Sequence, residues 1–181
     1  MNINGSARMV IVLAIVAILS GLVLALTFQW TKPRMDQVAE ERLKSAILEV
    51  LSKATKYEEI GNDGTLFNGL DEDNNKVGIA FVAQGGGFQG TITMMIGMDV
   101  QSRQLTGMAV LSHLETPGLG ARIEEDWFKG QFNAKSIDDP FIARQDVDAI
   151  TGATISSNAV SNILKNTIPN VLEKYESGGG K

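Results

Sequence analysis

The sequence predicts an α+β fold: one N-terminal transmembrane helix, then a single domain whose largely antiparallel sheet is flanked by helices. Three observations carry this. An uncharged apolar run of 20 residues, Val10 to Gln29, lies near the start of the chain. Three strand-like runs follow, joined by turns too short for the helical crossovers that parallel pairing needs. Apolar residues at three- and four-residue spacings lie before and after the strand region, the period of helices buried on one side.

Taken in order, residues 1–9 form a short N-terminal segment. Val10 to Gln29 is 20 residues without a charge, about 30 Å as a helix and so the thickness of a bilayer's hydrocarbon core. Trp30 sits where an interfacial aromatic anchor belongs, giving a span over 10–30. The run exceeds the apolar region of a cleaved signal peptide, and it is apolar on every face, unlike a buried soluble helix. Residues 31–60 read as a juxtamembrane linker and amphipathic helix. Pro33 interrupts the membrane helix and Asp36 caps the next, which carries Ala39, Leu43, Ile47, Val50 and Leu51 on one side. Gly61-Asn62-Asp63-Gly64 ends that helix and opens a domain over 61–176. Val77 to Val82, Thr91 to Met98 and Gly107 to His113 are rich in β-branched and apolar residues, with Gly85-Gly86-Gly87 as the turn between the first two. Residues 114–147 read as irregular, with a short helix around Glu124–Lys129. The acidic run Glu124-Glu125-Asp126 is its solvated start, and Trp127 and Phe128 are core. A last helix starts at Ser156 and is kinked at Pro169. Residues 177–181 form a flexible tail.

Composition narrows the chemistry. From Asp36 onward, 13 Lys and Arg face 21 Asp and Glu, a formal charge of −8. That balance disfavours nucleic acid, which needs basic patches, and disfavours a domain lying flat on anionic lipid. There is no cysteine and one histidine, His113. Thiolate zinc sites, iron–sulfur clusters, disulfides and multi-His metal sites are therefore excluded for this chain.

Two segments have the residue types of a ligand site. Asp148-Ala149-Ile150-Thr151-Gly152-Ala153-Thr154 leads into the last helix. Its small residues let a bulky ligand approach the backbone, and the free amides near Ile155 to Ser157 suit a phosphate. The same pattern also describes an ordinary Thr- or Ser-capped helix after a glycine turn. In the second segment, His113-Leu114-Glu115-Thr116-Pro117-Gly118-Leu119-Gly120, a constrained turn with little side-chain bulk can lie against a flat aromatic ligand or serve as a surface turn. Histidine is the side chain suited to acid–base work near neutral pH; a lone one at a strand end, as His113 is, reads first as structural, with acid–base catalysis the alternative.

Together these residues resemble a known family. Asp148 to Thr154 matches the Asp-x-x-(Ser/Thr)-Gly-Ala-Thr flavinylation motif of FMN-binding domains. Glu115 to Gly120, followed by Trp127 and Phe132, is similar to that family's second hallmark. Within it the chain looks most like RnfG, the G subunits of Rnf ion-translocating ferredoxin:NAD oxidoreductases. NqrC subunits of sodium-pumping quinone reductases share both motifs.

The resemblance implies a membrane electron-carrier subunit with FMN joined by a phosphoester bond to Thr154. Asp148, Thr151, Gly152 and Ala153 would form the recognition sequence and cradle; Glu115, Thr116, Pro117, Gly118, Leu119 and Gly120 would line the flavin. No catalytic side chain and no metal are implied. The partners would be the other membrane subunits of the complex and, during maturation, a flavin transferase using FAD. The domain would lie on the extracytoplasmic side of the cell membrane. The alternatives are an NqrC-like subunit, a stand-alone membrane-tethered flavin reductase, and a non-redox binding domain in which Thr154 is only a helix cap.

Overall fold

The computed structural model of the chain describes residues 5–61 and 63–178. Residues 1–4, Asn62 of the first predicted turn and residues 179–181 of the predicted tail lie outside that description. The described residues fall into two compact units divided after Glu41.

The first unit is helical. Helix α1 runs from Gly5 to Val50 and includes Pro33. Its apolar stretch is long enough to cross a membrane, and its most apolar window is unburied by protein. The Thr27 hydroxyl donates to the Val23 carbonyl at 2.8 Å, so even this polar group is satisfied within the helix. The helix does not break at Pro33, and Asp36 is therefore not a cap. Proline removes one intrahelical hydrogen bond, but strong helix formers from Gln37 to Lys44 carry the helix onward.

The second unit begins with the last turns of α1. An antiparallel meander follows, β1 (Lys56–Glu59), β2 (Leu66–Leu70), β3 (Lys76–Gly86), β4 (Thr91–Asp99) and β5 (Gln104–Ser112), in the order β1-β2-β3-β4-β5. After it come a 3-10 turn at Gly120–Glu124, a short helix α2 (Asp126–Gly130) and helix α3 (Thr154–Gly178). The antiparallel sheet flanked by helices is as the sequence predicts. Several boundaries are not. The helix expected through residue 60 stops at Val50, and Lys56–Glu59 pairs with Phe67–Leu70 as an edge strand. Gly85 and Gly86 are not turn residues but pair with Ile92 and Thr91. Helix α3 begins at Thr154 and continues through Pro169 to Gly178, so Ser177 is helical.

The central strands bury both faces, as period-2 alternation allows. Ile79, Phe81 and Ala83 of β3 and Ile92, Met94, Ile96 and Met98 of β4 share a core with Phe128, Phe132, Val160, Ile163, Leu164 and Ile168. Ala80, Met95 and Ala109 face the other way, onto Ala46, Ile47, Val50 and Leu51. That second contact needs glycine. Gly97 and Gly107 pair across β4 and β5, and a Cβ on Gly97 would lie 2.3 Å from the Val50 carbonyl oxygen. In the space so kept, the Thr106 hydroxyl donates to that carbonyl at 2.6 Å, satisfying a group that a helix end leaves unpaired. Of the predicted core aromatics, Phe128 is fully buried but Trp127 is 45% exposed. Its ring meets Phe128 edge-on at 5.6 Å, placing it on the surface side of that core residue.

Candidate functional site

The end of β5 and the start of α3 bring the two singled-out segments together. Phe88, Glu115, Thr116, Leu119, Gly120, Arg144, Gly152, Ala153, Thr154, Ile155 and Ser156 line one cavity of about 390 Å³. That volume is within the roughly 300–1,000 Å³ common for small-molecule sites. Seven predicted site residues thus meet in one place: Glu115, Thr116, Leu119, Gly120, Gly152, Ala153 and Thr154. Four others, Pro117, Gly118, Asp148 and Thr151, are not among its lining.

The centre of the site is Glu115, only 3% exposed. One carboxylate oxygen accepts from the Phe88 and Gln89 amides at 2.8 and 3.0 Å. The other accepts from the Ser156 hydroxyl on α3. Burial alone would raise the Glu115 pKa, but the Ser156 hydroxyl and the two amides outweigh it and hold the carboxyl below its usual range. The carboxylate therefore ties the β3–β4 turn, the segment after β5 and the first turn of α3 together as a fixed negative charge. Glycines leave it room: Cβ atoms on Gly87 and Gly120 would sit 2.5 Å from Glu115 Oε1 and Ser156 Oγ respectively. The Gln89 side-chain amide adds a link, donating to the Thr116 hydroxyl at 2.8 Å.

Thr154 is the first residue of α3. Ahead of it, Gly152 adopts φ +83°, a left-handed conformation suited to glycine. The buried Ser157 hydroxyl locks this turn. It donates to the Ala153 carbonyl at 3.1 Å and accepts from the Ile150 amide at 2.9 Å. The amides ahead of Ser157 are those a helix leaves without internal partners. Thr154 is partly exposed, and its hydroxyl accepts a hydrogen bond from Arg144 Nη2 at 2.9 Å.

The remaining expectations are placed as follows. His113 accepts from the Glu115 amide through Nδ1 at 3.0 Å and meets Glu124 through Nε2 at 3.2 Å. It braces the segment and does not line the cavity. Asp148 is exposed, and Gln131 holds its backbone by accepting from the amide at 2.7 Å and donating to the carbonyl at 3.3 Å. Reasoning from sequence misses Phe88 and Arg144. Phe88 is 60% exposed although aromatic; a bulky apolar residue directly after three glycines was the available signal.

These residues fit FMN. A helix start and one arginine suit a phosphate. The exposed apolar side chains of Phe88, Leu119 and Ile155 border a cavity suited to a flat ring system. Hydroxyls and a carboxylate can orient polar edges.

Comparison with known proteins agrees with this chemistry. The FMN-binding domain family matches residues 87–169, which include both segments. The G subunit of the ion-translocating oxidoreductase complex of Methanosarcina acetivorans is 32% identical over 172 residues, covering 89% of this chain and 92% of that protein. The G subunit of the proton-translocating ferredoxin:NAD(+) oxidoreductase complex of Clostridium ljungdahlii is 26% identical over 164 residues, covering 88% of each. Among solved structures, the C subunit of the Na(+)-translocating NADH-quinone reductase of Parabacteroides distasonis shares the fold. Its TM-score is 0.58 at 21% identity, over 78% of this chain and 94% of that one.

Proposed function

This chain belongs to the family of G subunits of ion-translocating oxidoreductase complexes, and from that premise we propose that it relays electrons through an FMN covalently attached to Thr154. The observation that carries the proposal is the hydroxyl of Thr154 at the start of α3, in a cavity that both motif segments line. Bound there, FMN supplies a centre that accepts electrons one or two at a time.

The chain's own part is binding and environment. The start of α3 and Arg144 face the phosphate. The Glu115 network fixes the loop against which the ring lies. Leu119, Phe88 and Ile155 keep water from one side of it. No side chain is required to exchange a proton with a substrate, because an electron carrier transforms none. The complex is a ferredoxin:NAD oxidoreductase, the other membrane subunits are the redox partners, and a flavin transferase loads the cofactor.

The test is activity of native membranes carrying Thr154→Ala. Ferredoxin-dependent NAD reduction is expected to be lost while the variant chain remains membrane-inserted at its normal level. Retained activity would sink the relay role of this site. Full loss together with loss of the chain itself is separated by Thr154→Ser, which keeps the hydroxyl and is expected to recover part of the activity.

A further inference from the structure

We propose that Arg144 is the phosphate-holding residue of this site: it orients the Thr154 hydroxyl before flavin is attached and binds the phosphodiester afterwards. The inference rests on Thr154 as the attachment point and deepens that reading.

Three observations carry it. First, Arg144 Nη2 donates to Thr154 Oγ1 at 2.9 Å. Second, among the described residues lining the cavity, Arg144 is the one basic side chain, against the buried carboxylate of Glu115. Third, the loop that presents it is held in a costly shape. Arg144 has φ +70° and Phe141 φ +49°, conformations that non-glycine residues rarely keep without enforcement. The enforcement is visible. The Asp146 carboxylate accepts from the Phe141 and Ile142 amides at 3.1 and 2.5 Å and pairs with Lys135 at 3.0 Å. Lys135 also donates to the Asp146 carbonyl at 2.7 Å, and the Arg144 amide donates to the Val147 carbonyl at 2.7 Å. A clamped left-handed arginine aimed at the first hydroxyl of a helix is a built feature.

The chemistry needs a cation there. In attachment, Thr154 Oγ bonds to the flavin-side phosphorus of FAD and the pyrophosphate P–O bond breaks. AMP leaves with the electron pair, and the hydroxyl proton passes to a base of the transferase. The incoming phosphates are anionic and approach a cavity that already holds the Glu115 charge; Arg144 offsets that repulsion. Once Oγ is esterified, it is a poor acceptor. The non-bridging phosphate oxygens, two bonds from Oγ, then receive the guanidinium, whose planar fork matches them.

The test uses the full-length chain made without its transferase, then incubated with purified transferase and FAD. The initial rate of covalent loading is read by flavin fluorescence after denaturation, and the loaded chains are compared by 31P NMR. Arg144→Gln is expected to load about tenfold more slowly or worse, the scale of one charge-assisted hydrogen bond, and to shift the phosphodiester resonance. Arg144→Lys keeps the charge without the fork and is expected to load at an intermediate rate. Wild-type loading by Arg144→Gln, or an unshifted resonance in its loaded fraction, overturns the role of Arg144 alone. A wild-type chain that takes up no covalent flavin overturns this role and the attachment site together. If Arg144→Gln does not fold, Arg144→Lys decides: a reduced rate with a shifted resonance supports the role, and wild-type values refute it.

Discussion

Glu115 accepts two backbone amides and a buried hydroxyl while almost wholly removed from water. Its depressed pKa is therefore also a statement about stability. A carboxyl that ionises more readily when folded contributes stability that is complete above its unfolded value and is lost as pH falls through its folded value. Its ordinary value is 4.5, so the wild-type unfolding midpoint is expected to fall on acidification from there downward. Asp146 adds to the slope: burial raises its pKa, but the Ile142 amide and Lys135 outweigh that. Glu115→Gln is expected to lower stability by about 1–3 kcal/mol near neutrality and to flatten the acid slope without abolishing it. Thermal melts at a series of pH values check this, and a variant as acid-sensitive as wild type would contradict it.

We propose that Asp148, exposed and outside the cavity lining, serves recognition by the transferase. Asp148→Asn is expected to reduce flavin occupancy while changing stability by no more than about 0.5 kcal/mol. Full occupancy in that variant would remove it from this role. Both motif segments could be read in the sequence because their spacing and small residues are local properties. Arg144 could not, because its reach to Thr154 depends on a left-handed loop held by Lys135 and Asp146, a tertiary fact with no periodic trace.

Among the elements, the junction of α1 with the sheet is the most exacting. Gly97 and Gly107 let the helix end approach β4 and β5 so closely that Thr106 caps Val50. Gly97→Ala would force the helix end off the sheet. It is expected to cost upwards of about 2 kcal/mol, the scale of overpacking a tight core. Thr106→Val keeps the shape but removes the cap, with an expected loss of about 1 kcal/mol. Urea titrations of the two variants measure these; a neutral Gly97→Ala would contradict the close approach. The three central strands were visible because they combine β-branched and apolar residues in runs. β1 was hidden because Lys56-Tyr57-Glu58-Glu59 is polar and short, and it extends a helical pattern. It is a strand because it pairs with β2, whose Phe67 meets Tyr57 edge-on at 5.8 Å. Gly85 and Gly86 looked like turn residues and are strand residues for a similar reason: they pair with Ile92 and Thr91. A Cβ on Gly85 would lie 2.6 Å from Ile163 of α3, so at Gly85 helix packing, not turn geometry, selects glycine.

For the whole molecule, the proposed arrangement anchors the site to a membrane by residues 10–30 with the domain on the extracytoplasmic side. The charges flanking the span weigh slightly against this, since Lys32 and Arg34 follow it and Arg8 precedes it. Large domains translocate largely regardless of such charges. Protease added to intact spheroplasts is expected to digest the domain, and protection there with digestion in inverted vesicles would reverse the orientation.

The central claim, that FMN is held by a covalent bond to Thr154, is tested most directly by mass spectrometry of the denatured full-length chain from its native membrane. The predicted result is a chain heavier by one FMN less one water. Fragmentation of the tryptic peptide Gln145–Lys165 should place that mass on Thr154, and it should be absent from Thr154→Ala. A chain at its unmodified mass, or the added mass on Thr151, Ser156 or Ser157, would contradict it.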